Sequence, residues 1–403
     1  MQRTLTFFLL ALAGMLTSCA NISPQPTGPQ QRIVKSVQYP PQTSTRAPEA
    51  QTSPYIVTPN APAISVTPLP ATSPAKAGGQ LGLILPLKSA TFGPAANAVK
   101  QGFMAAFVFQ PKNLRFSVKV YATDDQPGSM LDAYQLAIQE GVQVIIGPLT
   151  RDGVTTIAGS GLVNIPTLAL NIPENDTALP SNLYFFGLSV EGEARQVARL
   201  AFNQGKTTAG TLSANTPLAK RSQQAFTEEW KRLGGKITAQ YIFTEDINSF
   251  PMLKANLAHS APDMIFLSAG YQKARLLRPY LGTLIPIYAT SQINSGKNEP
   301  ARDVDLNDIQ FVDMPWLLQP DHPAVMIYPH MDKFVSADVE RLYALGIDAY
   351  RLAELMLSSQ SRNISLDGVT GRITLNGDNQ ILRELTPAIF KQGVATVPDA
   401  MTP

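Results

Sequence analysis

The clearest pattern in the chain is an apolar run, then a short polar loop, then apolar residues at helical spacing. Residues 81–85 are too few for a helix and are bounded by Gly79 and Pro86, which reads as a buried strand. After the small, polar loop 86–94, Ala95, Val99, Phe103, Ala106 and Phe107 fall on one helical face. A strand rising into a helix is the first half of a βαβ unit. It places the loop at the carboxyl end of a parallel strand, where open α/β sheets hold their ligands.

The unit repeats. Residues 116–121 alternate as a strand, and Pro127-Gly128 leads into a helix expected over 129–140, with Ser129 as its N-cap and Gly141 closing it. Further strands are expected at 142–146 and 166–170. After residues 184–188 a second series follows: helices at 191–204, 218–233, 250–258 and 271–281, and strands at 208–212, 237–243, 264–267 and 285–288. Repeated strand–loop–helix units predict an α/β, bilobal body of two doubly wound parallel-sheet lobes joined by a hinge.

The amino end reads differently. Residues 1–19 carry Arg3, an apolar stretch over 7–12 and then Leu16-Thr17-Ser18-Cys19, the pattern of a lipoprotein signal peptide in which Cys19 is acylated. The plainer alternative is an ordinary signal peptide with a chance cysteine. Ala20 rather than Asp after the cysteine points to the outer membrane, because bacterial lipoproteins of that kind are sorted onward. Residues 20–78 hold twelve prolines among Thr, Ser, Gln and Ala, too few large apolar groups for a core, and are expected to be a linker. A chain of ~60 residues spans ~45 Å as a flexible coil and up to ~180 Å in the extended polyproline form.

Charge and chemistry narrow the function. With 32 basic and 30 acidic residues there is no electrostatic footprint for nucleic acid. One cysteine excludes a disulfide framework, and the three histidines lack metal-ligand spacing apart from His322 and His330, which read as surface loop. Neither a metal nor an organic cofactor is expected. Ser73-Pro74-Ala75-Lys76 has the spacing of a transpeptidase nucleophile but lies in the linker, and Lys-Thr-Gly is absent. The chain reads as a non-enzyme.

The pattern over 81–109, Asp124-Asp125 and Ile145-Ile146-Gly147-Pro148 resembles the first lobe of type I periplasmic binding proteins. Three later strings are sharper: Phe311-Val312-Asp313-Met314-Pro315-Trp316-Leu317-Leu318, the stretch 341–352, and Asp367-Gly368-Val369-Thr370-Gly371-Arg372 with its sequel at 381–385. Together they resemble the C-terminal domain of the LppC family of penicillin-binding protein activators, over roughly residues 79–393. The resemblance implies a lipid-anchored, non-catalytic activator at the periplasmic face of the outer membrane, whose partner is a class A penicillin-binding protein, a peptidoglycan synthase. It also implies lobes of about 79–189 with 320–362, and 190–319 with 363–403, crossing near Ser189, Gln319 and Arg362. In longer members a helical-repeat domain precedes this one; here the Pro-rich linker stands in its position.

The alternative is a lipid-tethered solute receptor closing on an amino acid, peptide or cell-wall fragment. Its candidate cleft is Ser89, Thr91, Asp124, Thr150, Arg151 and Asn171 from the first lobe, with Tyr271 closing from the second. Against a ligand role stands a local one: Asp124 as an Asx-turn and Thr150 as a helix N-cap. Met314 and Trp316 are read either as a partner surface or as hinge packing.

Overall fold

The computed structural model describes residues 79–111, 115–174, 179–297, 299–331, 335–358 and 364–398. Cys19, the linker and the crossover expected near Arg362 lie outside them. The first sheet is fully parallel, in the order β2-β1-β3-β4-β5, from β1 (Gln80–Leu85), β2 (Ser117–Ala122), β3 (Val144–Ile146), β4 (Thr167–Ala169) and β5 (Leu183–Phe185). The helices between them are α1 (Gly93–Phe109), α2 (Pro127–Gln139) and α3 (Arg151–Gly159). Leu81, Leu83 and Leu85 pack on one face with α1, while Ile84 packs on the other with Met130 and Tyr134 of α2. Both faces are covered, which is why the strand reads as one unbroken apolar run.

The α2 boundary differs from expectation. The helix starts at Pro127, whose fixed φ suits a first helical position, and Ser129 lies inside it. The Ser129 hydroxyl accepts instead from Asp124 N–H at 3.3 Å. Gly141 does follow the helix with φ +81°.

The second series is α4 (Val190–Asn203), β6 (Thr208–Ala214), α5 (Pro217–Arg232), β7 (Lys236–Phe243), α6 (Phe250–Ser260), β8 (Met264–Ser268), α7 (Tyr271–Leu281), β9 (Ile287–Ala289), α8 (Pro300–Asp303), β10 (Ile309–Asp313) and α9 (Pro315–Leu318). After α10 (Ala337–Leu357) come β11 (Ser365–Gly368), β12 (Gly371–Leu375), β13 (Ile381–Glu384), β14 (Thr386–Lys391) and β15 (Val394–Thr396). The second sheet runs β15-β14-β10-β9-β8-β6-β7, with β14 antiparallel to β10. Of the C-terminal stretch only β14 and β15 join it. β11, β12 and β13 form an antiparallel sheet of their own at the junction, where Phe185 N–H donates to Asn379 C=O at 3.0 Å.

α10 returns to the first lobe and crosses α1 at backbone contact. A Cβ on Gly102 would lie 1.8 Å from Tyr343 O, and one on Gly346 2.0 Å from Val99 O. Two glycines therefore set this helix–helix distance, each where the other helix presents its main chain.

In the second lobe Glu229 of α5 joins two helices. It accepts from Arg199 of α4 at 2.9 Å and from Arg232 at 2.7 Å, and is 6% exposed. Hydrogen bonds from Arg232 and then Arg199 outweigh its burial and carry the carboxyl down to about 2. A depressed pKa stabilises the fold fully above the ordinary value and ceases to do so as pH falls through the folded one. Glu229→Gln is therefore expected to lower the urea midpoint at neutral pH, with the deficit closing between pH 4.5 and about 2. A deficit that stays constant with pH rules the explanation out.

Candidate functional site

The loops after β2, β3 and β4 converge on a cavity of about 520 Å³ at one edge of the first sheet. Asp124, Thr150, Arg151 and Asn171 line it together, as the strand–loop reading expects. Phe92, Met130, Leu149 and Leu170 give it apolar walls, and Leu342 and Leu345 of α10 contribute from far along the chain. Asp125, Asp152 and Glu174 add exposed carboxylates at the rim. These three were missed, although two of them stand directly beside residues that had been singled out.

Most of the polar groups are engaged with their own loops. Thr150 Oγ1 accepts from Gly153 N–H at 3.2 Å, capping α3, and Asp124 Oδ1 accepts from Gln126 N–H at 2.9 Å. Asn171 Nδ2 donates to Leu149 C=O at 3.0 Å while its Oδ1 accepts from Ile172 N–H. Ser89 and Thr91 lie off the cavity wall: the Ser89 hydroxyl accepts from Thr91 N–H and Phe92 N–H at the entry to α1. Tyr271 is not brought to this site. It lines a second cavity, at the carboxyl ends of β6, β8 and β9, and its hydroxyl donates to Asp303. The two cavities meet α10 at adjacent residues, with Arg341 in one wall and Leu342 in the other.

Arg151 reaches across the junction. It donates to Pro173 C=O and stands 3.7 Å from Glu191, which also takes Arg221 of α5 at 2.8 Å. Burial opposes the charge on Glu191, but hydrogen bonds from Arg221 and from its own backbone leave its carboxyl below the usual range.

Behind these groups the junction holds a buried charge network. Arg341 of α10 donates to Asp313 at the end of β10 at 2.8 Å, and the two side chains are 5% and 1% exposed. Its guanidinium also donates to the carbonyls of Ser291 and Asn294. Burial disfavours the guanidinium, and the Asp313 carboxylate more than offsets that, so Arg341 stays charged. Glu193 of α4 accepts from Ser291 N–H and Oγ–H, with burial as the main influence raising its pKa. Asp348 accepts from the N–H groups of Val369 and Thr370 and from the Thr370 hydroxyl. Arg383 donates to Gly187 and Thr370 carbonyls. One helix of the first lobe is thus tied to the second sheet by a buried ion pair and to the junction sheet by hydrogen bonds to a buried carboxylate.

Met314 and Trp316 lie in the same junction, each 2% exposed. Trp316 Nε1 donates to Glu340 at 2.7 Å, and its ring lies 4.2 Å from that of His330. Neither side chain is presented to solvent. Among the described residues no group of three or more His, Cys, Asp or Glu is placed to hold a metal, and no helix is long and apolar enough to cross a membrane.

A family model described as "LppC putative lipoprotein" matches residues 71–393. The penicillin-binding protein activator LpoA of Aliivibrio fischeri is 30% identical over 341 residues, covering 76% of this chain and 56% of that protein. The activator of the same name from Pantoea ananatis is 30% identical over 323 residues, covering 68% and 47%. The chain spans about half the length of the curated relatives it matches. Among solved structures, one described as a "putative branched-chain amino acid ABC transporter" from Chromobacterium violaceum superposes with a TM-score of 0.67 at 37% identity, covering 77% of this chain and all of that one. The C-domain of LpoA from Haemophilus influenzae, described as a regulator of PBP1A, gives a TM-score of 0.65 at 23% identity, covering 79% and 99%. The fold is the periplasmic-binding-protein-like α/β architecture shared by these structures.

Proposed function

This chain belongs to the LppC family, and we propose that it is a non-catalytic activator that binds a class A penicillin-binding protein directly and raises its peptidoglycan synthesis. The observation that carries this reading is the 30% identity to the Aliivibrio fischeri activator over 341 residues. The site supports it in two ways. Thr150, Asp124 and Asn171, the polar groups nearest the strand ends, are occupied with their own loops. The buried Arg341–Asp313 pair ties α10 to the end of β10, a fixed junction of the kind a docking body uses. Acylation at Cys19 anchors the protein to the outer membrane, and residues 20–78 carry the α/β body towards the synthase.

A second reading, a receptor for an amino acid, peptide or cell-wall fragment, draws on the 37% identity to the Chromobacterium violaceum structure. One preparation separates the two. Titrated into a purified class A synthase, the protein is expected to give a saturable rise in glycan polymerisation or peptide crosslinking. No rise across several synthases overturns the activator reading. A ligand-dependent rise in melting temperature in its place moves the assignment to the receptor, because a ligand that binds only the folded state stabilises it.

A further inference from the structure

The cavity around Tyr271 differs in charge from the one beside Thr150. It measures about 520 Å³, within the range of small-molecule sites. Lys273, Lys297, Arg302 and Arg341 reach its wall from separate parts of the chain, and Asp338 is the one carboxylate among its described lining residues. Neutral donors at the wall include Gln292 and Asn294. The neighbouring cavity reverses this balance, with Asp124, Asp125, Asp152 and Glu174 against Arg151.

Lys273 and Arg302 are held loosely enough to be recruited. Lys273 pairs with Glu245 at 3.0 Å and Arg302 with Glu299 at 3.1 Å, and those carboxylates are 63% and 41% exposed. Such surface pairs contribute little and exchange readily for a better-placed anion. Arg302 also lies over the Tyr271 ring at 5.8 Å, which keeps it at the cavity mouth. Arg341 forms a fixed back wall through Asp313. Backbone dipoles add to the field, since α5, α7 and α10 all begin at this wall, after Thr216, Gly270 and Ser336. Gly270 has no side chain with which to cap α7, and no side-chain hydrogen bond caps that helix.

We propose that this cavity binds a small acidic ligand, gripped by its phosphate or carboxylate groups between Lys273 and Arg302, a site that requires no part of the activator reading. The test is calorimetric titration of the full chain at low ionic strength with pyrophosphate and, separately, with tricarballylate. One-to-one saturable binding is expected with at least one of them, and the tighter of the two identifies phosphate or carboxylate as the recognised group. Lys273→Gln combined with Arg302→Gln is expected to weaken it by roughly ten-fold or more, and Asp338→Asn to tighten it. Lys273 and Arg302 are 35% and 50% exposed, so an unchanged melting temperature separates lost binding from lost folding. Absence of saturable heat with both anions, or equal affinity in the double variant, overturns the assignment.

Discussion

Arg341→Met is expected to lower the stability of the protein by about 3–5 kcal/mol, the cost of removing one partner from a buried ion pair. Four buried acceptor contacts, beside one to the exposed Asp338, explain the size of the effect. The guanidinium serves both oxygens of Asp313, at 3.2 and 2.8 Å, and the carbonyls of Ser291 and Asn294, at 2.8 and 3.1 Å. Methionine fills much of the volume and leaves the Asp313 carboxylate, 0% exposed, facing it. Asn294 Nδ2, at 2.9 Å, is a neutral donor and only partly satisfies that charge. The measurement is urea denaturation: the midpoint should fall while the slope, which follows the surface exposed on unfolding, stays constant. Adding Asp313→Leu removes the stranded charge, so the double variant should recover part of the loss. A loss below about 1 kcal/mol for Arg341→Met alone would mean that the pair is effectively solvated.

Gly346→Ala should cost about 3 kcal/mol or more, at or above the upper end of the range for overpacking a core. The sign is informative here. In an ordinary helix interior the same change is stabilising by about 1 kcal/mol, because alanine is the better helix former. At this crossing the new methyl would meet Val99 O at 2.0 Å and Phe103 N at 2.7 Å, atoms of a helix backbone that cannot rotate away. Relief requires α1 and α10 to separate along their length, loosening Phe103 against Tyr350, whose rings now pack edge to face at 5.2 Å. Gly102→Ala should act through the same separation, so the double variant should cost less than the two singles combined. Thermal unfolding of the three variants decides it, and a raised midpoint for Gly346→Ala would show the helices to be further apart.

How far the chain could be read depended on how local each signal was. The strands β1 and β8 and the helices α1 and α5 were legible because burial on a sheet or helix face leaves its period in consecutive residues. Placing Asp124, Thr150, Arg151 and Asn171 at one edge needed only the rule that parallel strands deliver their loops to the same side. Tyr271 was assigned to the wrong cavity because nothing local to it reports the position of α10, which brings Arg341 and Leu342 between the two cavities. The buried charges are the sharpest example. Asp313, Arg341, Asp348 and Thr370 all sit inside the three strings that carried the family resemblance, and Arg383 lies in their sequel. Read singly, each is an ordinary polar residue. Their pairing joins positions 22 and 28 residues apart, across elements that only the finished fold brings together.

The route of the chain also has a consequence for the order in which this protein is made. The first sheet is complete by Phe185, but the glycine-bearing face of α1 has no partner until α10 follows at Ala337–Leu357. The second sheet is laid down as far as Asp313, yet β10 receives its other neighbour only from β14 at Thr386–Lys391. A nascent chain stopped between these points holds two unfinished halves, each awaiting a piece that emerges near the carboxyl end. Both halves are therefore completed by segments that are made late, α10 for the first and β14 for the second.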